Sequence, residues 1–227
     1  MPKAIKKRSE KRIAAEPDIK ETVVDIKERL KGKQRTLVYA ATAFVVMMLS
    51  IVVFTVYKKT SSSRALELEL EGYKLFHGDY QARMIPPVER YKKALEMFKK
   101  SYVTKKRADV LLYIANCHYE LGNYDEAVKT LKELNSQFSD PKIISLSYYK
   151  MAMAYERKGD TDNAISALKS LLSIKDSALQ DMALLETGKI LELSGKAEEA
   201  KTKYRELINK FPKSGLSNEA RARLGEK

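Results

Sequence analysis

Residues Leu37–Val56 form an unbroken run of twenty residues without a charged side chain, LVYAATAFVVMMLSIVVFTV. A helix rises about 1.5 Å per residue, so the run measures roughly 30 Å, the thickness of a bilayer's hydrocarbon core. Thr42, Ser50 and Thr55 are its only polar interruptions, and a helix satisfies all backbone groups internally even in lipid. A soluble helix of this length would carry a polar face, and this one has none. The run therefore predicts a single transmembrane helix over residues 36–57. It is too long for the apolar region of a cleaved signal peptide, and the following YKKTSSSRA offers no small-x-small cleavage site. An uncleaved signal anchor is expected.

Cations near a span set its orientation. Lys27, Arg29, Lys31, Lys33 and Arg35 precede it closely, against Lys58, Lys59 and Arg64 after it. This bias predicts a cytoplasmic N-terminus, with residues 58–227 on the outer side. Tyr39 and Tyr57 lie near the two ends, where aromatic rings favour the interface. Residues 1–35 read as a basic cytoplasmic tail. Lys3, Lys6, Lys7, Arg8, Lys11 and Arg12 suit anionic headgroups at about 1 kcal/mol each, or ribosomal RNA, or serve topology alone. Within the tail, Ile19, Val23, Ile26 and Leu30 follow a plausible Asp18 cap at helical spacing, which predicts a short amphipathic helix at the membrane surface. Residues 58–64, Ser-rich and basic, read as a linker.

The formal charge of the chain is +13. Outside the tail it is mildly basic, which suits an acidic partner or a lipid surface and is no nucleic-acid signature. The single cysteine, Cys117, excludes an intramolecular disulfide. The two histidines, His77 and His118, fall short of a zinc ligand set. Cys117 and His118 point about 100° apart on a helix and make no nucleophile pair. No P-loop, GxGxxG or GxSxG occurs. These features predict neither cofactor, metal nor enzymatic activity.

Beyond the span the chain repeats. LLYIANCHYELGNYDEAVKTLKELN, YYKMAMAYERKGDTDNAISALKSLLS and LLETGKILELSGKAEEAKTKYRELINKFP share one pattern. A helix ends at Gly122, Gly159 or Gly195. Five residues later stands Ala127, Ala164 or Ala200. A bulky Leu131, Leu168 or Tyr204 follows, then Leu134, Leu171 or Leu207. Glycine ends the first helix of each pair, alanine lets the second pack closely, and the bulky residues fill the space between pairs. A divergent earlier copy places Gly78 and Tyr80 at the turn and Ala94 and Phe98 on its second helix, with QARMIPPVE as an inserted loop. SGLSNEARARLGEK reads as a capping helix whose polar face covers the last repeat. The pattern resembles the tetratricopeptide repeat, with slightly longer turns between repeats. The expected fold is all-α: one N-terminal transmembrane helix, then over residues 65–227 an α-solenoid of about four helix pairs and a cap.

The resemblance implies that the first helices of the pairs line an inner groove that contacts other polypeptides. In this chain the matching positions are Leu112, Asn116, Tyr119, Tyr149, Met153, Arg157, Leu185, Lys189 and Glu192. Such a surface, rich in tyrosine and methionine, repacks on varied apolar segments, although several of these side chains could equally pack between helices. Asn116 matches repeats that clamp a C-terminal carboxylate. Leu112, Tyr149 and Met153 do not supply the cations those repeats use, which argues against chaperone tails as ligands. The layout of tail, span and repeats, and the run DMALLETGKILELSGKAEEAKTKY, are similar to the YfgM-like family, ancillary subunits of the SecYEG translocon in bacterial inner membranes. That resemblance implies a single-pass inner-membrane protein with a periplasmic domain, working beside translocon subunits, periplasmic chaperones and unfolded clients. FPKSGLSNEARARL looks more like the TolA-binding cell-division coordinators and the BamD-type lipoproteins, which imply an envelope or division scaffold.

Overall fold

The computed structural model describes residues 34–79 and 82–225. The amphipathic helix expected in the tail, and Tyr80, lie outside the described residues. Among the described residues there are nine α-helices and no strand. They divide into two compact units, Met1–Tyr57 and Lys58–Lys227.

Helix α1 runs Gln34–His77, 44 residues in one stretch. It contains the whole apolar run and is long and apolar enough to cross a membrane. In the first unit every described side chain of α1 is exposed. Residues 58–64, expected as a linker, are helical. KKTSSSR holds neither proline nor glycine, so nothing there stops the helix.

The second unit stacks helix pairs. The last part of α1 meets α2 (Pro87–Thr104) where Gly72 faces the Phe98 ring and Ser101 bonds Ala65; α3 (Ala108–Glu120) packs with α4 (Tyr124–Gln137), α5 (Pro141–Arg157) with α6 (Thr161–Leu172), and α7 (Gln180–Leu193) with α8 (Ala197–Lys210). Helix α9 (Leu216–Leu224) closes the array against α8 and α7. Four pairs and a cap match the sequence reading. The cap turns inward its buried Ser217 and Ala220 with Leu216 and Leu224 packed beside them, while Glu219 and Arg223 reach α7 from its rim, so the face that meets the last repeat is small and apolar at its centre and charged at its edge.

The turn between paired helices is built the same way each time. Gly122 lies at φ +76°, a left-handed conformation that glycine adopts without a side-chain penalty. The next amide, Asn123 N–H, then donates back to the carbonyl of His118 at 2.8 Å, closing the six-residue ring of a Schellman turn. The same bond recurs from Asp160 to Tyr155 and from Lys196 to Leu191 at 2.9 Å, and from Asp79 to Lys74 at 3.0 Å in the divergent pair. In the insert QARMIPPVE, Ala82–Met84 form a 3-10 turn and Pro87 opens α2. Proline suits that position because the first helical N–H has no partner to lose.

The longer period has two sources, only one of which is a turn. Helix α5 spans 17 residues against 13 in α3, and its start is fixed by Asp140, whose carboxylate accepts from Lys142 N–H at 2.9 Å. In the next repeat the extra residues lie in the connection 173–179, where Asp176 takes φ +56°.

The core runs through the stack. Ala94, Ala127, Ala164 and Ala200 are all buried, and so are Phe98, Leu131, Leu168 and Tyr204 one turn later. Each large apolar side chain removed from water contributes about 1.5–3 kcal/mol. Leu134, Leu171 and Leu207 complete the buried ladder. In the last pair Gly188 gives Tyr204 its room: a Cβ at Gly188 would lie 2.3 Å from the tyrosine ring.

Candidate protein-binding face

The nine groove positions fall into rungs set by their distance from the turn glycines. Leu112, Tyr149 and Leu185 stand ten residues before Gly122, Gly159 and Gly195. Asn116, Met153 and Lys189 stand six before. Helical geometry puts each rung at one height on successive first helices. The rungs differ in access. Leu112 is 9% exposed and Leu185 2%, so both belong to the core rather than to a contact surface. The tyrosine at the same rung, Tyr149, is half-buried. Burial, reinforced by Glu186, holds its phenol above the ordinary value, while Lys189 pulls the other way.

Asn116, Tyr119 and Met153 are half-buried and Arg157 is exposed. Arg157 donates from Nε to the Tyr119 hydroxyl at 3.0 Å, joining α5 to α3. Tyr119 also meets Tyr124 edge-on, with centroids 5.4 Å apart. The accessible part of the predicted groove is therefore a patch on α3 and α5, with two tyrosines, one methionine, one amide and one guanidinium. It offers flat aromatic area, an adaptable thioether and a cation, the elements that grip apolar segments.

The two charged positions on α7 are engaged elsewhere. Lys189 bridges Glu186 at 3.2 Å and Glu219 of the cap at 2.9 Å. Burial draws its ammonium down, but these carboxylates outweigh that and hold it above its usual value. Glu192 accepts from the Tyr204 hydroxyl at 2.8 Å and from Arg223 at 2.9 Å, which holds its carboxyl below the usual range, the tyrosine bond being the larger cause. These contacts fasten the cap.

Leu193 was not among the predicted positions, yet it is 82% exposed at the end of α7. It stands two residues before its turn glycine, as Arg157 does, and that spacing is the signal that identifies it. Cys117 is buried, and burial pushes its thiol up to about 12, so it is inert. Among the described residues no group of three His, Cys, Asp or Glu side chains is placed to hold a metal ion.

A family pattern described as a tetratricopeptide repeat-like domain matches residues 31–224, taking in the apolar run as well as the repeats. A search of curated proteins found no match. Among solved structures, nearly identical TPR-like repeats from Podosopora anserina superpose with a TM-score of 0.54 at 14% identity, covering 72% of this chain and 84% of that one. The apo form of RapI gives 0.51 at 12% identity, over 72% of this chain and 46% of RapI. A TPR2AB-domain:pHSP90 complex of yeast Sti1 gives 0.43 at 24% identity, covering 71% of each chain. At these identities the likeness is one of fold. Repeats of this fold are protein–protein interaction modules.

Proposed function

The chain belongs to the tetratricopeptide repeat-like domain family, and from that premise we propose that it is a membrane-tethered binding module of the bacterial inner membrane. Its N-terminus is cytoplasmic, residues 36–57 cross the bilayer, and the repeats stand on the periplasmic side. There the α3–α5 patch, centred on Tyr119, Tyr149, Met153 and Arg157, receives emerging or unfolded secreted chains beside the Sec translocon, or passes them to periplasmic chaperones. The observation that carries this reading is the single family match running through both the apolar run and the repeats. It supports reading the apolar run and the repeats as parts of one design.

In-cell photo-cross-linking from Tyr119 or Met153 tests it. Adducts with translocon subunits, periplasmic chaperones or secretory clients are expected, and Tyr149→Ala should weaken them severalfold without unfolding the domain. A second reading, a scaffold in envelope assembly or division, draws on the C-terminal run FPKSGLSNEARARL. Adducts confined to division or outer-membrane assembly proteins would select it over the translocon.

A further inference from the structure

Two segments of the repeat unit that are distant in sequence carry cations and no acid. KKTSSSR (58–64) holds Lys58, Lys59 and Arg64, and KKSYVTKK (99–106) holds Lys99, Lys100, Lys105 and Lys106. The fold brings them together. Helix α2 runs antiparallel to α1, so the Ser101 hydroxyl donates to the carbonyl of Ala65 at 2.9 Å and Lys105 Nζ reaches Ser62 Oγ at 3.4 Å. Lys58 stands one helical turn before Ser62. Among the described residues Lys100 pairs with Glu96, and no carboxylate lies within 4.0 Å of Lys99, Lys105 or Lys106. In the middle of the lysines Val103 is 86% exposed, an apolar side chain that no described residue covers.

We infer that the C-terminal end of α2 is a docking platform for anionic phospholipid, with Lys99, Lys100, Lys105 and Lys106 on the headgroups and Val103 dipping among them. The inference rests on the anchored reading, since Lys58 follows directly on the proposed span. Charge complementarity selects the partner: seven cations, of which among the described residues only Lys100 is paired with a carboxylate, attract an anionic surface at close range, and the attraction fades within a Debye length. A nucleic acid would be drawn by the same charges, but one apolar side chain standing among lysines matches the boundary between headgroup and acyl chain. Docking there would fix the height and tilt of the first repeat, and with it the direction in which the α3–α5 patch faces.

The test uses the full chain with Val103→Cys carrying a nitroxide. Cys117, buried, stays unlabelled in the folded protein. The chain is reconstituted into vesicles of phosphatidylcholine alone, or with phosphatidylglycerol, and the label's relative accessibility to oxygen and to an aqueous nickel chelate reports its depth. Phosphatidylglycerol should move the label into the interface, and high salt should release it. Replacing the four lysines by glutamine should lower the docked-to-free ratio by about several hundredfold, at roughly fivefold per cation, with an unchanged helical circular dichroism spectrum. A label that stays aqueous with phosphatidylglycerol, in a chain that floats with the vesicles, overturns this inference alone. A label that responds only to added RNA overturns it too. A chain that fails to float removes the anchored reading, and this inference falls with it.

Discussion

Phe54 and Phe98 are the same side chain in two different settings. Phe54, in the apolar run, is 63% exposed, with no described residue packed over it; Phe98, in the repeats, is 0% exposed. Leu49 and Val53 resemble the first, Leu131 and Leu168 the second. The repeats bring their own partners: each apolar face meets the next pair, and small residues are placed where large ones need room. Among the described residues the apolar run brings none, and in the proposed reading lipid takes that place. Hydropathy alone describes both regions as apolar. Periodicity separates them, because the repeats leave gaps for charge and the run does not.

The largest way to break this contrast is to spoil the run's solvent. Leu49→Arg with Val53→Arg places two guanidiniums near its centre, at about 2.5–3.5 kcal/mol each. The chain should become extractable by carbonate while its repeats keep their thermal transition. Continued membrane retention of the doubly substituted chain would remove the distinction. Next in size, Tyr204→Ala leaves a cavity in the last pair and should cost about 3–5 kcal/mol in chemical denaturation, with membrane retention unchanged.

A subtler effect sharpens the comparison within the repeats. Pairs one and four combine glycine on the first helix with an aromatic on the second: Gly72 with Phe98, Gly188 with Tyr204. The pairs between them carry Ala115 and Ala152 with Leu131 and Leu168. Volume has been exchanged across the interface. Gly188→Ala should therefore destabilise by about 1–3 kcal/mol, because its Cβ would crowd the tyrosine ring. Adding Tyr204→Leu, which copies the middle pairs, should recover part of that loss relative to the sum of the single changes. Strict additivity would mean that the two sites do not share a packing constraint.

The smallest expected effect concerns pH. His118 is 8% exposed and its Nδ1 is buried without a hydrogen-bond partner. Burial, and then Lys99, hold the imidazole below its ordinary value, Glu126 opposing. Above the ordinary histidine value of about 6.5 both folded and unfolded chains are neutral there. As pH falls through that value the unfolded chain takes the proton first, and stability declines until the folded-state value is reached. The melting temperature should fall between neutral pH and about pH 5.5, and more gently in His118→Gln. Parallel slopes for the two proteins would assign the decline to other groups.

The fold was readable because its unit repeats. Gly122, Gly159 and Gly195 announced each turn, and the alanine and leucine positions after them all proved buried. What escaped the sequence was whatever depends on a particular neighbour. The Ser-rich stretch 58–64 suggested a linker, yet it lacks any residue that stops a helix. Leu112 and Leu185 share a rung with Tyr149, but only Tyr149 is left partly accessible. Lys189 and Glu192 carry groove-like charges that the cap consumes through Glu219 and Arg223, partners some thirty residues away in sequence. Leu193 was hidden because an apolar residue at a helix end reads as core until its surroundings are known.

The proposed binding role requires repeats held outside the cytoplasm with their first helices accessible. Leu193→Cys places a reactive thiol on that exposed edge, while Cys117 stays buried. A membrane-impermeant maleimide added to intact spheroplasts should label the variant fully, with no further labelling after lysis. A thiol that reacts only once the membrane is broken would put the repeats on the cytoplasmic side and contradict the account.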